Sequence, residues 1–231
     1  MLILVKQAAI FDLDGVIVNT AKYHYLAWKR LAAELGFDFS LQQNERLKGV
    51  SRMQSLEFLL ESGGFQKKFS EKEKEMLAQR KNQWYVEMIS TISRNELLPG
   101  AENLLKKLHE RKIFVVLGSA SKNAPLILKG LQIASLFDAV VDGTMVTQAK
   151  PDPQVFLLGA RMVGADPEDC VVFEDSQAGI DAGNKGGMYT IGIGRGLLHC
   201  REEIDGLYQV EKTRWYREIF DAKFRKEGKC E

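Results

Sequence analysis

Cysteine is scarce in this chain: Cys170, Cys200 and Cys230 are the only three in 231 residues, scattered and odd in number. That excludes a disulfide scaffold and a cysteine metal knuckle, and fits a reducing, cytoplasmic setting. An excess of one charge is also missing, because 32 Lys and Arg stand against 31 Asp and Glu for a net charge of +1. No global field recruits nucleic acid or an anionic membrane, so any phosphate must be recognised by a local basic cluster. No apolar run approaches the roughly 18 residues of a membrane span. Met1-Leu2-Ile3-Leu4-Val5 has the look of a signal peptide, but Lys6, Gln7 and Asp12 interrupt it and no small-residue cleavage site follows. Repeats and low-complexity tracts are absent. At 45% apolar and 27% charged, the chain has a soluble globular composition, with length for one large domain or two smaller ones.

What is present begins with Ala9-Ile10-Phe11-Asp12-Leu13-Asp14-Gly15-Val16. Residues 7–12 read as a buried strand, and residues i and i+2 of a strand point the same way. The pattern predicts two carboxylates delivered to one point at the carboxyl end of a strand, where open α/β sheets bind ligands. Two like charges so close need a cation, or one of them must hold a proton. A nucleophile beside an acid/base, neutralised by a metal, suits the arrangement. Asp-x-Asp-Gly also forms plain turns. A calcium loop is excluded, because Val16-Ile17-Val18 follows where further oxygen ligands are required.

Residues 20–93 read as helical throughout: Ala21–Leu35 ending at Gly36, then Ser51–Leu60 and Glu71–Ile89, with Ser51 and Ser70 as N-caps. From Leu98-Pro99-Gly100 the pattern alternates. Helices are predicted over 101–111, 122–131, 151–163 and up to about Lys185, and strands over 113–117, 139–141, 170–173 and 188–193, the last clear one. Such alternation implies a parallel, doubly wound α/β sheet, with the helical segment inserted after the first strand. Trp215, Ile219, Phe220 and Phe224 suggest an amphipathic packing helix in the tail.

Three further segments fall at predicted strand ends. Gly118-Ser119-Ala120-Ser121-Lys122-Asn123 offers small residues, hydroxyls and free amides to an anion, although a Ser-capped turn reads the same way. Lys150, before Pro151-Asp152-Pro153, places an ammonium at a sheet edge or in solvent. Glu174-Asp175 is an acid pair suited to a hard cation, or to a helix N-terminus.

The order of these segments resembles the haloacid dehalogenase superfamily. Tyr23-His24, Ala27-Trp28, Leu47-Lys48-Gly49-Val50-Ser51-Arg52 and Arg80-Lys81-Asn82 extend the resemblance to its β-phosphoglucomutase family, over about residues 7–195. The lid sequence Leu-Lys-Gly-Val-Ser-Arg separates that family from generic phosphatases of the superfamily. The resemblance implies a Rossmann-like core of residues 1–19 and 94–231, with an all-helical cap at 20–93. It implies Asp12 as nucleophile, Asp14 as general acid/base, and Ser119 and Lys150 as stabilisers of the phosphoryl oxygens. Mg²⁺ would be held by Asp12, the Asp14 carbonyl, Glu174 and Asp175. Thr20, His24, Trp28, Leu47, Gly49, Val50, Arg52, Ser55 and Lys81 would line the lid side of the substrate site. Ala120, Ser121, Lys122 and Asn123 would shape the core side, together with Ser119 and Lys150. Gly118 and Gly183 depart from a common Ala, and Asn19 from a frequent Asp.

The implied reaction takes β-glucose 1-phosphate to glucose 6-phosphate through an aspartyl phosphate and the 1,6-bisphosphate. The alternatives are a Mg²⁺-dependent sugar-phosphate phosphatase and a silent protein that keeps the fold. Sugar phosphates are the implied partners of a monomer, without nucleic acid or membrane.

Overall fold

The computed structural model describes residues 8–47 and 50–221. Six strands form one parallel sheet in the order β3-β2-β1-β4-β5-β6, with β1 Ala8–Phe11, β2 Phe114–Gly118, β3 Ala139–Val141, β4 Cys170–Glu174, β5 Tyr189–Ile193 and β6 Glu202–Ile204. The chain winds outward from β1 through β2 to β3, then returns beside β1 as β4 and winds the other way. The reversal lies between β1 and β4, and their carboxyl ends make the crevice that such sheets use for ligands.

Both faces of the sheet are covered, which is why its strands are apolar without alternation. Ala9 and Phe11 face one layer, shared with α5 Ala101–Glu110, α6 Ala124–Gly130 and α9 Arg214–Phe220. Ala8 and Ile10 face the other, against Val155, Phe156 and Ala160 of α7 Gln154–Met162 and Ala182 of α8 Gln177–Lys185. Phe11 stacks on Phe173 at 4.7 Å, and Trp215 meets Phe173 edge-on at 5.2 Å. Each such buried ring contributes about 2 kcal/mol through lost water contact. The described part of the tail therefore packs beneath the central strands; Phe224 and Cys230 lie outside the described residues.

Between β1 and β2 lie α1 Ala21–Leu35, α2 Leu41–Asn44, α3 Arg52–Ser62 and α4 Glu71–Ile89. They carry their own apolar core around Trp28, Leu31, Phe39, Leu56, Leu59 and Leu60. Ser40, Ser51 and Ser70 each form a capping box with the Gln or Glu three residues on. Gly36 ends α1 with φ +90°. The two strands of chain linking this unit to the sheet run side by side, since Val18 pairs with Leu97 and Leu98 donates its N–H to Ile17 at 2.9 Å.

Four expectations need correction. Strand β1 stops at Phe11, so Asp12 and Asp14 sit on the loop after it and strand alternation does not set their directions. A sixth strand, β6, pairs in parallel with β5. It is only three residues long, too short to leave a sequence pattern. Helix α7 begins at Gln154, and residues 151–153 form the turn before it. Helix α6 begins at Ala124 rather than Lys122, because Ser119 and Ser121 divert the preceding amides.

Candidate active site

Asp12 follows β1 directly, and its N–H still donates to Phe173 on β4 at 3.0 Å. That residual pairing sets it beside Glu174. Between them lies Lys150, with only 1% of its surface exposed, its Nζ 2.5 Å from Asp12 Oδ1 and 2.7 Å from Glu174 Oε2. Burial alone would lower the lysine, but the two carboxylates outweigh it and hold it above its ordinary value, so it stays an ammonium. The other Glu174 oxygen accepts from the Ser176 N–H at 3.0 Å and Oγ at 2.7 Å.

Asp12, Glu174 and Asp175 bring carboxylate oxygens within 4.8 Å of one another. Two glycines make room for this cluster. A side chain at Gly15, where φ is +84°, would put its Cβ 2.0 Å from Asp175 Oδ2, and one at Gly179 would come within 2.0 Å of the Glu174 carboxyl carbon. Asp14 lies alongside with Oδ1 buried and unbonded. Burial, and next the Asp12 charge, push the Asp14 carboxyl up to about 8. Burial also raises Asp12, to about 7, against the pull of Lys150. The carboxylates of Asp12, Glu174 and Asp175, gathered this closely, are the oxygen donor set of a hard divalent cation.

Above this floor is a cleft of about 480 Å³. His24, Trp28, Leu47, Val50, Arg52, Ser55 and Lys81 line it from the helical unit, and Ser119, Ala120, Ser121, Lys122 and Asn123 line it from the sheet. Lys81 is nearly fully buried, 4.5 Å from the Trp28 ring centre and 2.9 Å from His24 Nδ1. Burial drives Lys81 well below its ordinary value, and Arg52 adds to the fall. Burial, Lys81 and Arg52 do the same to His24. The roof of the cleft is thus basic and desolvated, a deficit that a bound anion would relieve.

Some predicted residues sit elsewhere. Thr20 is fully buried at the start of α1 and does not line the cleft. Lys150 and Glu174 lie under the floor rather than on it. Gly49 lies outside the described residues. The Ser119–Asn123 turn is self-capped: Ser119 Oγ accepts from the Ser121 N–H at 3.1 Å, and Ser121 Oγ from the Asn123 N–H at 3.2 Å. Those two amides are therefore spent internally, while each hydroxyl keeps its proton to donate. Sequence reasoning missed Asn44, Asn82 and the wall from Val146 to Ala149, all of which line the cleft. Asn82 had a signal in its place beside Lys81; the wall, an irregular loop, had none.

A model of haloacid dehalogenase-like hydrolases matches residues 6–187. The chain belongs to this family. It is 46% identical over 190 residues to the β-phosphoglucomutase of Bacillus subtilis, covering 82% of this chain and 84% of that protein. It is 28% identical over 206 residues to a phosphorylated carbohydrates phosphatase of Thermotoga maritima, covering 88% and 91%. The crystal structure of a β-phosphoglucomutase from Clostridium difficile superimposes with a TM-score of 0.88 at 40% identity, over 96% of this chain and 98% of that one. The family is one of phosphotransfer enzymes that generally use Mg²⁺, and Asp12, Glu174 and Asp175 form an acid cluster that could hold a metal ion.

Proposed function

We propose that the protein interconverts β-glucose 1-phosphate and glucose 6-phosphate. The observation that carries this reading is a cleft with the carboxylates of Asp12 and Asp14 on its floor and the cationic or basic groups of Arg52, Lys81 and His24 on its helical side. A mutase of this kind must grip one phosphate while it reacts at a second position. A bisphosphate intermediate needs an anion site at each end.

In this reading Asp12 attacks the phosphorus, an Asp12 oxygen–phosphorus bond forms, and the bond to the sugar oxygen breaks. Asp14 carries the proton, giving it to the departing sugar oxygen and taking one from the attacking hydroxyl. Its raised value keeps it protonated near neutrality until the leaving group needs the proton, which is the matching that general acid catalysis requires. Lys150 holds one Asp12 oxygen still, and Ser119, with 1% of its surface exposed, presents its hydroxyl to the same floor. Asp12, Asp14 through its carbonyl, Glu174 and Asp175 would hold Mg²⁺, which supplies charge compensation for the transferring group. Residues 20–93 act as a cap, and Arg52 grips the phosphate that is not reacting. A cap closed over the floor keeps water from the aspartyl phosphate, so a sugar hydroxyl receives the phosphoryl group.

The test is a coupled assay with Mg²⁺, β-glucose 1-phosphate and a trace of the 1,6-bisphosphate, reading glucose 6-phosphate and free phosphate in parallel. Glucose 6-phosphate without matching phosphate release is the expected result. Free phosphate without the isomer would replace this reading with a sugar-phosphate phosphatase.

A further inference from the structure

The cleft wall between β3 and α7 holds no motif residue, yet it is tightly fixed. Val146, Thr147, Gln148 and Ala149 line the cleft immediately before Lys150. This stretch lies outside the sheet, so its amides have no ladder partners. The Gln154 side chain, at the first position of α7, supplies them. Its Oε1 accepts from the Thr147 N–H at 2.9 Å and the Gln148 N–H at 2.7 Å, and its Nε2 donates to Thr147 Oγ1 at 3.3 Å. The segment is also closed from the other side. The Asp152 N–H donates to the Ala149 carbonyl at 2.9 Å, and Asp152 Oδ1 accepts from the Gln154 N–H at 2.9 Å. Gln154 is itself anchored, because Val155 and Phe156 beside it are buried in the core, and the Phe156 ring lies 4.7 Å from Lys150 Nζ.

We propose that Gln154 is a positioning residue, whose carboxamide fixes the 146–149 wall opposite the cap and thereby sets how tightly the cleft holds the sugar phosphate. It touches no reacting atom and acts through Thr147 and Gln148. The wall and Lys150 are continuous chain, so one clamp fixes both the side of the cleft and the approach of the buried ammonium. A loose wall would leave the chemistry of Asp12 in place while widening the gap through which water enters. The proposal rests on the reading of the cleft as a sugar-phosphate site.

Two variants test it. Gln154→Leu keeps the bulk and removes the acceptor; Gln154→Glu keeps an oxygen for both amides. Gln154→Leu is expected to raise KM for the sugar phosphate about tenfold while kcat changes less than about threefold, and to raise the ratio of free phosphate to isomer. Gln154→Glu is expected to restore KM to within about threefold of the parent. An unchanged KM in Gln154→Leu, or equal damage in Gln154→Glu, would overturn the proposal, as would a loss confined to melting temperature. If the parent proves to be a phosphatase, the function above falls, but KM for sugar-phosphate hydrolysis still reports on the same wall. The two failures are thereby kept apart.

Discussion

Asn123, on the sheet side of the cleft, donates from its Nδ2 to Asn82 Oδ1 on helix α4 at 2.9 Å. The bond joins the two walls of the cleft directly, near Lys81 and the Ser119 turn. Such a contact between the helical unit and the sheet is worth about 1 kcal/mol. Where the helical unit joins the sheet, Tyr23 Oη and Lys22 Nζ both reach Glu96, at 2.9 and 2.8 Å, tying the start of α1 to the returning linker.

Asn82→Ala removes the acceptor from the bond to Asn123. The expected outcome is about a threefold rise in free phosphate released per isomer formed, with the melting temperature little changed. Parallel assays of glucose 6-phosphate and phosphate check it; an unaltered ratio would show that the bond does not govern closure.

Lys150→Met keeps the apolar stem but leaves Asp12 and Glu174 buried without their shared cation. Removing one partner of such a cluster costs about 3 kcal/mol of stability, and turnover is expected to fall at least ~10³-fold. Chemical denaturation with and without Mg²⁺ separates the two effects, because the metal ion should recover part of the stability and little of the rate.

Gly179→Ala attacks the acid cluster from behind. The new Cβ would meet a Glu174 carboxylate that cannot retreat, being held by Lys150 and by both donors of Ser176. Mg²⁺ affinity is expected to fall about 10- to 100-fold. Calorimetric titration of the variant measures this, and parent-like affinity would contradict it.

The acid cluster also predicts a pH effect of definite sign. Asp12 and Asp14 rise from 3.8 in the unfolded chain to about 7 and about 8 in the metal-free fold. Over that window the folded state binds more protons than the unfolded one, so these groups make metal-free stability fall as pH rises from about 4 to 8. Mg²⁺ competes with the proton on Asp12, whose carboxylate belongs to the acid cluster, so its stabilising effect should be larger at pH 8 than at pH 6. Melting curves at both pH values, with and without the ion, provide the check; equal stabilisation at both would refute it.

The sheet was legible in the sequence because its central strands are short apolar runs bounded by polar residues or Gly, and the helical insertion because of its helical periodicity, with Ser51 and Ser70 as N-caps and Gly36 closing α1. The Asp12, Ser119 and Glu174-Asp175 segments were legible as motifs because each sits at a strand's carboxyl end, and Lys150 because it precedes the Pro151-Asp152-Pro153 turn into α7. Their order along the chain identified the family.

Tertiary structure alone decided the rest. A lone lysine in sequence reads equally well as a solvated side chain, and only the adjacency of β1 and β4 buries Lys150 between two carboxylates that lie 138 and 24 residues away. The same holds for Thr20, whose spacing from His24 and Trp28 aims it at the cleft while packing sends it to the interior. The Val146–Ala149 wall and its Gln154 clamp leave no periodic trace, because an irregular loop is fixed by individual hydrogen bonds rather than by a repeating pattern. Periodicity and end signals are local, and they determine elements and topology. Burial, charge pairing and the shape of a cleft depend on which distant segments meet, and the fold sets those.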